Sequence, residues 1–296
     1  MGRQHRERAD PVTAPAEFTT LISADELARR LDAPELVVID CRHDLADPEH
    51  GVRAYADGHV PGAHFLHLDR DLSGPMTGSN GRHPLPDPAA LIVRLQACGI
   101  HNGSQVVAYD DGGGMYAARL WWLLRWLGHP RVAALDGGLR AWCGTGALTD
   151  ERPARGEATF HIALHPTRVA VEEVHTNLAS DQMLLLDARS PDRFRGENET
   201  LDPVGGHVPG ARNRFFRDNL NDDGRFKPAH ALREDFSRVL GETPPERVVH
   251  MCGSGVTACH NALAMEVAGL PGSRLYAGSW SEWCSSPERP VATDPA

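Results

Sequence analysis

An internal repeat constrains this chain more than any other feature, because a doubled pattern fixes domain count and architecture before residue chemistry enters. Val37-Val38-Ile39-Asp40-Cys41-Arg42 recurs as Leu184-Leu185-Leu186-Asp187-Ala188-Arg189, each a short apolar run ending in an Asp-x-Arg turn. His59-Val60-Pro61-Gly62-Ala63 recurs as His207-Val208-Pro209-Gly210-Ala211, with Pro-Gly placed for the central positions of a type II turn. Val106-Val107-Ala108-Tyr109-Asp110 aligns with Val248-Val249-His250-Met251-Cys252. The stretch Leu135 to Trp142 aligns with Tyr276 to Trp283. Four landmarks keep the same order in both halves.

Helical patterns lie between these landmarks, over 24–31, 88–98, 116–127, 233–240 and 258–268. Short apolar strands alternating with helices predict an α/β fold, with two domains that are each a mostly parallel sheet flanked by helices. Residues 144–166, rich in Gly, Pro, Thr and Arg, read as a linker. The expected division is a polar tail over 1–17, a first domain over 18–143, the linker, and a second domain over 167–296. With 296 residues, each half can bury its own core.

The strand 248–251 feeds a loop, Cys252-Gly253-Ser254-Gly255-Val256-Thr257, and then a helix. Unpaired backbone N–H groups converge at a helix start and favour negative charge, so a thiol placed there is stabilised as the nucleophilic thiolate. Gly253 and Gly255 let the loop curl its N–H groups toward the sulfur, while Ser254 and Thr257 add hydroxyl donors. Cys252 is therefore expected to be the working nucleophile. Cys259 reads as a core thiol, and a zinc site from His250, Cys252, Cys259 and His260 lacks the usual knuckle spacing of about two to four residues within each ligand pair. No metal is expected. The first half carries Asp110 at the matching position and should be catalytically silent. Its loop offers G-x-G-x-x-A after a strand, but the repeat aligns it with the Cys252 loop and not with a dinucleotide site.

A net charge of −10 without a basic run argues against a nucleic-acid surface. The first twenty residues are polar, so neither a secretory signal nor a membrane span is expected, and the six scattered cysteines should be free thiols in a cytoplasmic protein. His59 and His207 occur in both halves and read as turn-stabilising groups; Trp280 and Trp283 read as packing residues.

The doubled Asp-x-Arg, His-Val-Pro-Gly-Ala and strand-loop-helix pattern resembles the tandem rhodanese sulfurtransferases over 18–291. The loop from Cys252 to Cys259 is similar to that of the 3-mercaptopyruvate sulfurtransferase branch; thiosulfate-preferring members carry cationic residues where Gly253 and Ser254 stand. The resemblance implies a persulfide on Cys252, formed without a cofactor. Its sulfur would come from 3-mercaptopyruvate and pass to a thiol, cyanide or thioredoxin-like acceptor. It also implies that Arg193, with the loop residues Gly253, Gly255, Val256 and Thr257, binds the substrate, and that Ser254 works with Asp69 and His83 from the first domain. The family's second substrate arginine is missing from 197–206. The alternatives are a thiosulfate:cyanide sulfurtransferase and a non-catalytic persulfide carrier. A Cys-based phosphatase would need an arginine where Ala258 stands.

Overall fold

The computed structural model describes residues 17–294, so the tail expected over 1–17 lies outside the described residues except for Glu17, as do the last two residues of the second half. The first half runs β1 (Leu21–Ile22), α1 (Ala24–Ala28), β2 (Leu36–Asp40), α2 (His50–Asp57), β3 (His64–Phe65), α3 (Pro88–Ala97), β4 (Gln105–Tyr109), α4 (Met115–Trp126), β5 (Val132–Leu135) and α5 (Gly138–Cys143). Its strands form a parallel sheet in the order β1-β5-β4-β2-β3. The second half runs α6 (Val171–Ser180), β6 (Leu184–Asp187), α7 (Pro191–Phe194), β7 (Arg212–Asn213), α8 (Ala229–Leu240), β8 (Val248–Met251), α9 (Thr257–Val267), β9 (Arg274–Leu275) and α10 (Ser279–Trp283), with the parallel order β7-β6-β8-β9. The architecture is the α/β fold expected from the repeat. α8 begins at Ala229 instead of 233: Ala229 and His230 are exposed, and Leu232 is the first residue of the helix to enter the core.

The repeated motifs make the same contacts twice. Arg42 closes on Asp40 at 2.6 Å and donates to the Gly58 carbonyl at 2.7 Å; Arg189 does the same with Asp187 and Gly206. His59 stacks on Tyr55 and donates from Nδ1 to its carbonyl, and His207 repeats this on Phe194. These imidazoles hold turns. Gly62 and Gly210 adopt φ of 74° and 80°, as the third residue of a type II turn requires.

Alternation along the strands separates the layers. In β4, Val107 and Tyr109 face an outer core with Ile22, Leu27 and Trp142, whereas Val106 and Ala108 face an inner core with α3 and α4. That inner core continues through α9 and α8 into the second domain, and Val249, Met251, Trp280 and Trp283 form the outer layer there. α4 and α9 pack against one another, which sets each half's loop beside the other half. Arg119 of α4, fully buried, donates to the Gly255 carbonyl at 3.2 Å and to the His83 carbonyl at 3.0 Å. His260 of α9 reaches the Gly113 carbonyl at 3.0 Å.

The stretch expected as a linker has no helix between α5 and α6, yet it is a strap and not a loose tether. Gly156 donates to Ala97, Ala163 to Leu127 and His165 to Trp126, so its N–H groups satisfy carbonyls at the ends of α3 and α4. A Cβ on Gly156 would lie 2.3 Å from the Gly99 backbone. Among the described residues, no helix is long and apolar enough to cross a membrane.

His250 sits fully buried in β8 with neither ring nitrogen hydrogen-bonded, and burial pushes its pKa down to about 3. The neutral ring is favoured in the fold, so its stabilising contribution is present above the ordinary histidine range and lost as pH falls from there toward 3. Between pH 7.5 and 5.5 this one group should cost about 1.4 kcal/mol of stability. Urea melts of parent and His250→Leu at the two pH values check this: the variant should lose less stability on acidification, and an equal loss contradicts it.

Candidate active site

The Cys252 loop links the carboxyl end of β8 to the first turn of α9. Cys252 is buried, and its Sγ accepts the Gly255 N–H at 3.1 Å. The backbone of Cys252 is fixed on both sides. Its N–H donates to Ser279 Oγ at 3.1 Å and its carbonyl accepts from Trp280 at 3.0 Å. Ser279 holds this position at a φ of 54°, a conformation that costs a non-glycine residue energy. Gly255 stands at φ 81°, and a Cβ there would lie 2.2 Å from the Ala277 carbonyl oxygen, so only glycine fits.

The duplicated loop in the first half shows what this shape accommodates. Asp110, fully buried, accepts from the N–H groups of Gly112, Gly114, Tyr116 and Ala117 at 2.8–2.9 Å. Burial raises its pKa and these four bonds oppose the rise. A carboxylate with two oxygens gathers four donors, whereas the shorter thiol side chain gathers one. Of the loop N–H groups expected to point at the sulfur, that of Gly255 bonds to it, and Gly253 makes room beside it. A Cβ on Gly253 would lie 2.9 Å from Arg82 Nη2 and 3.6–3.7 Å from the Arg193 guanidinium.

Ser254, His83 and Asp69 meet across the domain boundary. His83 Nδ1 lies 2.7 Å from Ser254 Oγ, and its Nε2 lies 3.2 Å from Asp69 Oδ1. A carboxylate only accepts, so Nε2 carries the proton and Nδ1 accepts from the serine hydroxyl. Of the two roles open to the Ser254 hydroxyl from the loop, thiolate or substrate donor, neither is its contact here: it donates to the histidine, the partner that the family resemblance implies. Burial pushes the His83 pKa below its ordinary value, against the pull of Asp69, and the His83 hydrogen bond holds the Asp69 carboxyl below the usual range. His43 stands on the far side of Asp69, with Nε2 at 3.9 Å. His67 completes a cluster with His43 and Asp69, but both of its nitrogens are engaged, by the Asp69 N–H and the Pro48 carbonyl.

Cys252 opens on a cavity of about 260 Å³ that includes Gly253, Ser254, Val256, Thr257 and Arg193, the loop and arginine singled out from the sequence. Arg193, at the end of α7, is not paired with Asp192 through its side chain. Its Nε and Nη2 hold Glu199 at 3.0 and 2.8 Å, and Nη2 reaches Asp202 at 3.4 Å. Burial works against ionisation of Glu199, yet its bonds from Arg193 hold it below the usual carboxylate range. Cys259 is a core thiol: its Sγ donates to Gly255 and burial pushes its pKa up to about 12.

Sequence reasoning missed Arg82, Glu199 and Asp202. Arg82 lines the cavity from the first domain and is ion-paired with Asp202. Its one available signal was adjacency to His83.

Comparison with known proteins agrees with this geometry. A Rhodanese-like domain matches residues 23–145 and again 170–286. The chain is 51% identical over 277 residues to the probable 3-mercaptopyruvate sulfurtransferase of Pseudomonas aeruginosa, covering 92% of this chain and 98% of that one. It is 35% identical over 280 residues to the thiosulfate sulfurtransferase of Bos taurus, covering 90% and 92%. The structure of 3-mercaptopyruvate sulfurtransferase from Leishmania major superposes with a TM-score of 0.81 at 32% identity, covering 94% of this chain and 77% of that one.

Proposed function

The chain belongs to the rhodanese family, carrying its domain twice, and from that premise we propose that it is a 3-mercaptopyruvate sulfurtransferase working through a persulfide on Cys252. The observation that carries this reading is the Ser254–His83–Asp69 chain beside the Cys252 loop, because a carbon-bound sulfur donor demands proton movement that a thiosulfate donor does not. The relatives named for mercaptopyruvate support the same donor.

The Cys252 thiolate attacks the sulfur of mercaptopyruvate, an S–S bond forms, and the C–S bond breaks with its electron pair passing to the pyruvate enolate. The proton leaves the substrate thiol and ends on the enolate carbon, carried through Ser254 Oγ and His83 Nδ1, leaving a deprotonated persulfide and pyruvate. Asp69 fixes the His83 tautomer. A thiol acceptor then takes the outer sulfur, restores the Cys252 thiolate and leaves as a persulfide; cyanide leaves as thiocyanate. The N–H groups around the loop, whose counterparts surround Asp110, receive the negative charge of the persulfide. Arg193 and the loop residues Gly253, Val256 and Thr257, which line the cavity, hold the donor against Cys252, while Gly255, expected among them, lies outside the lining and serves the sulfur through its N–H.

The first domain is silent in sulfur transfer, yet it lends Asp69 and His83 to the second. Small thiols and a thioredoxin-like protein are the acceptors we assign, in the cytoplasm, where the six free cysteines would stay reduced. The donor is tested by second-order rate constants for mercaptopyruvate and thiosulfate in one cyanide assay. Mercaptopyruvate should be faster by at least about tenfold, on the scale of general-acid assistance. A faster thiosulfate reaction makes the enzyme a thiosulfate:cyanide sulfurtransferase.

A further inference from the structure

We infer that His43, His67 and Asp69, at the end of the relay furthest from Ser254, form a binding site for Zn²⁺ whose occupation switches the relay off. The switching rests on the mercaptopyruvate reading; the binding does not. The ligand atoms of the three side chains lie within 4.8 Å of one another. Tetrahedral ligands at about 2 Å from a zinc ion stand about 3.3 Å apart, so the cluster needs to close by at most about 1.5 Å.

His43 is the side chain that calls for a ligand. It is 5% exposed, and among the described residues neither of its ring nitrogens makes a hydrogen bond. Nδ1 is buried without a partner, and Nε2 faces Asp69 Oδ2 at 3.9 Å, too far for a hydrogen bond. An imidazole buried in this way costs stability unless something else takes its lone pair. His67 is also buried and stands edge-on to it, with ring centroids 5.3 Å apart. Its Nε2–H donates to the Pro48 carbonyl at 2.9 Å, the outer hydrogen bond that ligating imidazoles carry, and this leaves the lone pair on Nδ1. That nitrogen accepts the Asp69 N–H at 3.0 Å, the hydrogen bond that coordination displaces. Asp69 divides its carboxylate: Oδ1 faces His83 and Oδ2 faces His43. Its side chain is 41% exposed, so an ion enters from that side and a water completes four ligands.

The fold does not require the cluster. The second half has Ser190, Phe215 and Arg217 at the matching positions of the repeat, so the three ligands belong to the first half alone. Two imidazoles and one carboxylate suit Zn²⁺, whereas Mg²⁺ and Ca²⁺ take oxygen ligands. An ion on Oδ2 draws the carboxylate charge away from His83 Nε2–H, and Asp69 then no longer fixes the tautomer that accepts from Ser254. Transfer from mercaptopyruvate slows; transfer from thiosulfate, where no carbon takes a proton, does not. The ion acts as an inhibitor and takes no part in the transfer itself.

Binding is tested on the full-chain Cys252→Ser protein, which lacks the competing thiolate, by titration with Zn²⁺ against a chromophoric chelator and with Co²⁺ by absorbance. One ion should be held at this site, with cobalt bands in the visible and no sulfur-to-cobalt charge transfer. H43F in that background should weaken the affinity at least about tenfold. H67Q, whose amide can keep the Pro48 contact, should do the same and covers the case of an H43F protein that fails to fold. No ion held, or an affinity unchanged by both substitutions, overturns the inference. The switch is read in the parent by single turnover without acceptor, since cyanide and thiols themselves take zinc. Zinc-loaded protein should release pyruvate from mercaptopyruvate at least about tenfold more slowly, on the scale of lost general acid–base assistance, and sulfite from thiosulfate at nearly the unloaded rate. H43F should erase that difference. Equal slowing with both donors places the ion on Cys252 and overturns the switch. Should the parent fail to turn over mercaptopyruvate at all, the donor reading falls separately, and the binding titration alone decides the site.

Discussion

A Cys252→Ser protein is expected to fold like the parent and to lose sulfur transfer from both mercaptopyruvate and thiosulfate by at least about 10³-fold, because the covalent route is removed. Serine keeps an acceptor for the Gly255 N–H, so the loop has no reason to rearrange. No other thiol is placed to substitute. Cys41, Cys98, Cys259 and Cys284 are buried, and burial pushes their pKa values up, to about 12 for Cys98 and Cys259 and about 11 for Cys284. Cys143 is exposed but ends α5, outside the cavity. Cyanide assays with each donor check the loss; retained turnover in the variant would remove Cys252 from the mechanism.

His83→Ala should separate the two donors. Mercaptopyruvate turnover should fall by about 10²- to 10⁴-fold, the usual scale of a lost general acid–base group. Thiosulfate turnover should fall far less, since its S–S bond breaks with sulfite leaving and no carbon needs a proton. Ser254→Ala should match His83→Ala on mercaptopyruvate, and the double variant should add little, because the two groups act as one unit. The parent's pH profile carries the same information. Burial depresses the His83 pKa, so the ring stays neutral and accepting through neutrality, and kcat/KM should fall only as pH drops below the ordinary histidine range. Equal losses with both donors would contradict the proton-relay role.

The parts legible in the sequence are those whose signal is local. The repeated apolar runs become β2 and β6, and β4 and β8, because a parallel strand buried on both faces must be apolar throughout. The Cys252 loop was legible for a similar reason: Gly255 occupies a conformation and a contact that no other residue tolerates. What could not be read lies across the domain boundary. Nothing in spacing says that Arg119 would hold the carbonyls of Gly255 and His83 together, although this contact sets the relay against the nucleophile loop. Arg82 carries no periodic signal either, and the acidic Asp202 gives no hint of a cationic partner from the other half. The strap over 144–166 has a linker's composition but finds its hydrogen bonds at helix ends, which composition does not encode. Asp69 and His83 were named without a fixed spacing, and their 3.2 Å contact joins two loops of the first domain, of which the His83 loop is seated on the second.

The central claim, that Cys252 carries the sulfur delivered by mercaptopyruvate, is tested most directly by intact and peptide mass spectrometry of the parent protein after donor treatment without acceptor. The mass of one added sulfur atom is expected, located on the peptide containing Cys252, and cyanide should remove it with one thiocyanate released per protein. An unmodified protein that still turns over, or sulfur held on a peptide lacking Cys252, would contradict it.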